Sequence, residues 1–214
     1  MNTLRKIIQR FRSAGFLPTI KYLFFTVLLE RLGIHFDVIF VYESSPFGQS
    51  QPGNYHCKVI GSLDGLAPSV REALVDYGGN EMIEDVAKSF AEKQLCVLGF
   101  IDGRFGGLGW FEPQGHDLFV DQEVYLMWRA FVLPDMRGQK LLPLTMIEAC
   151  SFIRRDLRSN RPIVVECSLF NKSSRRGIEN AGFELIAKEV EIGRWKTFYQ
   201  VRDGISRPGG RKLH

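Results

Sequence analysis

A mixed α/β fold is what the sequence predicts: a sheet of mixed strand directions carrying helices (an α+β mixed sheet), with a helical N-terminal extension. Three observations support it. From residue 55 to residue 201, short β-branched or aromatic runs alternate with segments of helical periodicity. Within them, a dense apolar run at 124–132 passes through a basic turn into an amphipathic helix. Asp102-Gly103, set between two apolar runs, is a strong short hairpin signal. At 214 residues and 45% hydrophobic content the chain can bury a sizeable core in one domain and still carry an extension.

Taken in order, residues 1–54 read as a basic amphipathic helical extension and linker. Leu4, Ile7, Ile8 and Phe11, then an apolar stretch at 16–29 broken by Gly15 and Pro18, describe two short helices. The second has about 14 apolar-rich residues including Lys21, short of the roughly 20 that span a bilayer. Glu30-Arg31-Leu32-Gly33 offers no small-residue cleavage site, so a signal peptide is not expected. Residues 1–34 hold six Lys and Arg against Glu30 alone, which gives +5 of a net +4 and leaves about −1 for the rest. The basic character therefore belongs to the extension, and no nucleic-acid partner is expected for the body. For residues 1–34, peripheral membrane contact and packing on the protein's own body both fit a basic amphipathic helix. A short strand-like run at 38–42 and a turn-rich stretch at 44–54 (SSPFGQSQPGN) complete this part, and the domain boundary is placed after it.

Residues 55–201 are read as the main domain. A strand is expected at 56–62, a helix at 68–77 ended by Gly78-Gly79, and a second helix at 81–93. Strands at 95–101 and 105–111 meet at Asp102-Gly103. Tyr125, Leu126, Met127, Trp128, Ala130, Phe131 and Val132 suggest a central strand buried on both faces, ended by Pro134. Leu142, Met146, Ala149, Cys150, Ile153 and Leu157 recur at helical spacing, with Pro143 tolerated in the first turn. A strand at 162–168, a helix at 173–180 stopped by Ala181-Gly182, and a strand pair at 183–187 and 195–201 follow, and residues 202–214 read as a flexible basic tail.

The turn Arg137-Gly138-Gln139-Lys140 carries the clearest chemistry. Free N–H groups at a helix start, the positive end of the helix dipole and two cationic side chains converge on one point, which suits a phosphate or pyrophosphate. Cys57, Cys96, Cys150 and Cys167 are widely spaced with no CxxC pair, which favours reduced buried thiols and a reducing compartment. His35, His56, His116 and His214 lack metal-ligand spacing and read as ordinary loop or surface residues, so no metal is assigned.

The element order β-α-α-β-β-β-α-β-α-β-β resembles the GNAT superfamily of acyl-CoA-dependent N-acyltransferases. Val132-Leu133-Pro134-Asp135-Met136-Arg137-Gly138-Gln139-Lys140 is similar to that family's V-x-P-x-x-R-G-x-G turn. Asn171-Lys172-Ser173-Ser174 with Glu179-Asn180-Ala181-Gly182-Phe183 is similar to its N-x-x-S followed by E-K-x-G-F. There are departures. Lys140 stands where the family usually has glycine, Leu142 where glycine or alanine is common, Ile178 where many members place the tyrosine that protonates the leaving thiolate, and Leu126 near the position of a strand carboxylate.

The resemblance implies an acyl-CoA-dependent N-acyltransferase with a GNAT-like acyltransferase fold, transferring acetyl from acetyl-CoA as co-substrate to a small-molecule amine. An amino-sugar precursor is one acceptor, and the expected location is the cytoplasm, extending to the inner face of the membrane. It also implies that the pyrophosphate lies on the N–H groups of Arg137, Gly138, Gln139, Lys140, Leu141 and Leu142, and that pantetheine pairs with the open edge at Phe131 and Val132. Asn171 and Ser174 would lie beside the pantetheine arm. Glu123 and Tyr125 are the first candidates for the base that takes the amine proton, with Glu166 in reserve because a carboxylate in a β-branched strand needs solvent or a partner. A catalytically silent acyl-CoA-binding regulator and a long-chain N-acyl amino acid synthase stay open as alternatives.

Overall fold

The computed structural model describes residues 29, 32–42, 53–119, 121–193 and 195–201. Nearly all of the two helices expected at 2–33, most of the linker and the tail lie outside the described residues. In chain order the elements are β1 (Ile34–Tyr42), β2 (Tyr55–Ile60), α1 (Pro68–Gly78), α2 (Asn80–Ala91), β3 (Leu95–Ile101), β4 (Arg104–Gln114), β5 (Val124–Val132), α3 (Leu141–Arg155), β6 (Ile163–Ser168), α4 (Lys172–Asn180), β7 (Glu184–Ile192) and β8 (Trp195–Gln200). The strands form one sheet in the order β2-β3-β4-β5-β6-β1-β7-β8.

One boundary moves. Residues 34–42, assigned from sequence to the extension before a break at 54, form an interior strand. β1 pairs antiparallel with β6 on one side and β7 on the other, and its residues 38–42 are buried. The reason is physical: Val38, Ile39, Phe40, Val41 and Tyr42 are apolar on consecutive positions, as a strand covered on both faces requires. The turn-rich segment that follows reads locally as a linker although the chain before it is already part of the core.

Alternation along the strands assigns two faces. Tyr125 and Met127 of β5 and Val97 of β3 join Met146, Ala149, Cys150 and Ile153 of α3 and Ile178 of α4 in one cluster. Cys96 and Leu98 of β3 face the other way and meet Val70 and Leu74 of α1 and Val86 of α2. On that second face, beyond the reach of these two helices, Leu118 and Phe119 of the β4–β5 connection cover Val124, Val164, Ile39 and Ile186. Side chains of opposite faces thus enter separate cores from one sheet. Asp102 and Gly103 at the β3–β4 turn both have positive φ, 51° and 74°, as a type I′ hairpin requires.

Two glycines seat α3. A Cβ on Gly99 would come within 2.5 Å of Thr145 Cγ2, and one on Gly106 within 2.5 Å of Leu141 Cδ2. The bare backbone of β3 and β4 therefore lets the first turn of α3 rest directly on the sheet, which sets the height of the basic turn above β5.

Candidate functional site

The site is made by strands that separate. Neighbouring strands are antiparallel throughout the described sheet except β5 and β6, which run parallel and pair only over Tyr125↔Ile163, Leu126↔Val164 and Met127↔Val165. Beyond that point β5 bulges. Against β4 it matches Trp128 to Trp110 and Phe131 to Leu108, so one extra residue is accommodated, and Arg129 takes φ 45°. A bulge bends its strand and ends regular pairing on the far side. The stretch from Trp128 to Val132 keeps β4 and presents an open edge toward β6. The expectation of a strand buried along its whole length is corrected here: Arg129 and Ala130 are exposed because β6 has diverged.

The open edge leads into the basic turn. Pro134–Met136 forms one 3-10 turn, and Gly138 and Lys140 both adopt left-handed backbone, φ 82° and 58°, before α3 begins at Leu141. Among the described residues, no backbone carbonyl receives the N–H of Gly138, Gln139 or Lys140, and Leu141 and Leu142 begin the helix without partners one turn back. These N–H groups stand together at the positive end of a 15-residue helix. Met136 and Leu141 are buried and fix the turn from below. The residues present fit a pyrophosphate. The left-handed Lys140 explains why glycine is usual there: lysine keeps the N–H but accepts a backbone penalty on the order of 1 kcal/mol.

Other expected residues have additional engagements. Arg137 Nε donates to the Val132 carbonyl at 3.3 Å, folding this guanidinium back over the strand end. Phe131 stacks on Tyr77 of α1, centroids 4.9 Å apart. Asn171 is the N-cap of α4, its side-chain oxygen accepting from the Ser174 N–H at 3.2 Å. A capping role thus occupies that oxygen, and the Asn171 amide nitrogen is what remains for a ligand.

Neither first-choice base stands at the splay. Glu123 lies before β5, at the end away from the basic turn, and pairs with Arg161 at 2.8 Å. Tyr125 is only 7% exposed, inside the core cluster under α3. Alternation aims it at α3, while its backbone N–H bonds the Pro162 carbonyl, so the hydroxyl lies in the core as expected for this strand. Ile178 is likewise fully buried.

Different side chains gather at the point of divergence. Trp128 and Glu166 are the next residues on the two strands after the last pair, on the face of Leu126 and Val164. The Trp128 Nε1–H is buried with no acceptor among the described residues, and the Arg129 guanidinium lies 4.5 Å from its ring centroid. Glu166 is 36% exposed and lies 2.8 Å from Nε2 of His116, whose side chain is only 5% exposed. His116, read as an ordinary loop histidine, is therefore a built-in partner. Glu166 carried a signal, an acid needing a partner in a β-branched strand, but nothing local ties residue 116 to residue 166.

Behind this pair lies a charged row on β1, β7 and β8. Asp37 sits opposite Glu189, and Lys196 bridges Glu189 and Asp117, each at 3.0 Å. Burial, then the negative charge of Glu166, raises the Asp37 carboxyl above its ordinary range. Burial also raises Glu189, partly offset by its hydrogen bond from Lys196. Burial opposes the charge of Lys196, but bonds to Asp117 and Glu189 outweigh it and hold its pKa above the usual lysine range. The four cysteines are free thiols, and burial pushes Cys57 and Cys167 up to about 12, which leaves them protonated and unreactive.

No family model matches the chain, and no curated protein matches it. Solved structures do. The chain is similar to an acetyltransferase of the GNAT family from Colwellia psychrerythraea, with a TM-score of 0.54 at 11% identity over 79% of this chain and 62% of that one. It is also similar to a tandem GNAT protein from the clavulanic acid biosynthesis pathway, TM-score 0.51 at 15% identity over 80% of this chain and 57% of that one. The fold is the GNAT fold. The chain spans less than two thirds of either structure. At these identities the likeness establishes architecture alone.

Proposed function

We propose that this protein is an acyl-CoA-dependent N-acyltransferase that carries acetyl from acetyl-CoA to an amine of a small molecule. The observation that carries the reading is the continuity of the splay with the anion cradle. An open strand edge from Trp128 to Val132 runs into the unpaired N–H groups of 138–142. Pantetheine has amides spaced to pair with a strand edge, and its pyrophosphate suits the cradle at the start of α3. The thioester would then lie near the bulge, where the unpartnered Trp128 Nε1–H supplies a donor. A buried donor without an acceptor costs about 1–3 kcal/mol, a cost that a bound carbonyl would offset.

The co-substrate is the first thing to test. Coenzyme A at about 100 times its dissociation constant stabilises the fold by roughly 2.7 kcal/mol, read as a rise in Tm. Arg137→Gln with Lys140→Gln weakens the coenzyme while leaving the unliganded Tm within a degree or two, since exposed charges contribute little stability. A Tm unmoved by millimolar coenzyme A removes the reading. Release of free thiol from acetyl-CoA on adding small amines separates transfer from binding alone, and a donor-length series separates acetyl from long-chain donors.

A further inference from the structure

Resting on the acyltransferase reading, we infer that Glu166 is the group that takes the amine proton, and that His116 is the residue that positions it. The geometry resolves the roles. The backbone N–H of Leu118 points at His116 Nδ1, 3.0 Å away. A backbone N–H can only donate, so Nδ1 accepts, and the proton of the neutral ring sits on Nε2. From there it is donated to Glu166 Oε1 at 2.8 Å. One carboxylate oxygen is thus held by a fixed donor, and the other has no hydrogen-bond donor among the described residues and is left for a substrate.

The scaffold supports this division. Leu118 and Phe119 are anchored in the core over β6, and the Phe119 ring meets His116 edge-on at 5.5 Å. Lys196 ties the neighbouring Asp117 to β8 at 3.0 Å. His116 is therefore immobilised from both sides, whereas Glu166 stands at the mouth of the strand divergence, one residue beyond the last β5–β6 pair. An amine attacking a thioester held at the bulge would have this carboxylate beside it, since Trp128 and Glu166 are the next residues after the last β5–β6 pair. The charges acting with Glu166 are Asp37 on β1 and Glu189 on β7, with Lys196 and Asp117 beyond them and the Arg129 guanidinium on the Trp128 ring at the same divergence.

In the step itself the neutral amine nitrogen bonds to the thioester carbonyl carbon. The C–S bond breaks with its electron pair on sulfur, and one amine proton passes to the free oxygen of Glu166. That proton is then given to the departing thiolate or to water, which restores the carboxylate. The His116 donor stabilises the carboxylate before the transfer and keeps it aimed.

The test follows thiol release from acetyl-CoA with a panel of short mono- and diamines, alongside the coenzyme A shift in Tm. Glu166→Gln is expected to lower kcat about 10²- to 10³-fold with the Tm shift intact. His116→Ala lowers kcat about 10-fold or more, and His116→Gln, which keeps an N–H donor, recovers part of it. In the wild-type protein, imidazole nitrogen NMR should show His116 protonated on Nε2 alone. If the wild type releases thiol and Glu166→Gln stays within two-fold of it, the assignment to Glu166 fails while the acyltransferase reading stands. Coenzyme A binding without thiol release for any amine overturns both, as does the absence of a Tm shift. A His116→Gln variant no better than His116→Ala overturns the positioning role.

Discussion

Lys140 and Asp37 each hold a conformation or an ionisation state that the fold would not choose for stability. Lys140 has φ 58° at the start of α3, where only glycine is free of the Cβ penalty. Lys140→Gly is expected to raise stability by about 0.5–1 kcal/mol, read from urea unfolding, while coenzyme affinity falls because a cation is gone. A destabilised glycine variant would contradict the left-handed assignment. Asp37 has its pKa raised by burial and by Glu166. A carboxyl raised in the fold favours the folded state when protonated, below its unfolded value near 3.8, and stability is lost as the pH climbs through the raised folded value. Asp37→Asn should therefore raise Tm at pH 7, with the gain shrinking toward pH 4. A gain that is constant across that range would mean the effect is packing and not charge. Acids kept in such a place at a cost to stability are common where function needs them.

Between the strand and the helix, position is set by contact. The cradle at 138–142 is useful only if α3 begins at the right height over β5, and that height depends on Gly99 and Gly106 lying under Leu141 and Thr145. Gly99→Ala puts a methyl group where Thr145 Cγ2 would be 2.5 Å away. The helix must lift or the strand must bend, at about 1–3 kcal/mol. The urea midpoint should fall accordingly, and coenzyme affinity should fall by more than the stability loss explains, because the N–H groups move with the helix. An unchanged affinity would show that the turn is positioned independently of α3. Ile178 on α4, standing where the resemblance puts a tyrosine in many members, lies in the same core and serves packing.

Across the whole molecule, β1 closes the sheet. It separates β6 from β7, and without it the strand that bears Glu166 and the strand that bears Glu189 would each expose a long unpaired edge. A chain beginning at residue 55 is therefore expected to lose cooperative urea unfolding and to aggregate, although its sequence still contains the turn, the hairpin and both motif stretches. Cooperative unfolding of that shortened chain would restore the boundary at 54.

Local rules were enough for much of this protein. The type I′ hairpin at Asp102-Gly103, the end of β5 before Pro134, the start of α3 after a basic turn and the alternation of strands and helices all follow from forces that act over a few residues. Backbone sterics, proline's missing donor and apolar periodicity belong to this class. So does the turn at 138–142, whose free donors are consecutive N–H groups. What sequence reading could not supply depends on which strands become neighbours. Residues 34–42 look peripheral until two partners enclose them. Glu123 and Tyr125 are the candidates the sequence offers; in the fold Glu123 pairs with Arg161, and the strand's alternation carries Tyr125 into the core. His116 and Glu166 meet at 2.8 Å although 50 positions separate them in the chain. Chain entropy gives no local trace of such a meeting, because it is the packing of the sheet and of the Leu118–Phe119 anchor that offsets the cost of closing the loop.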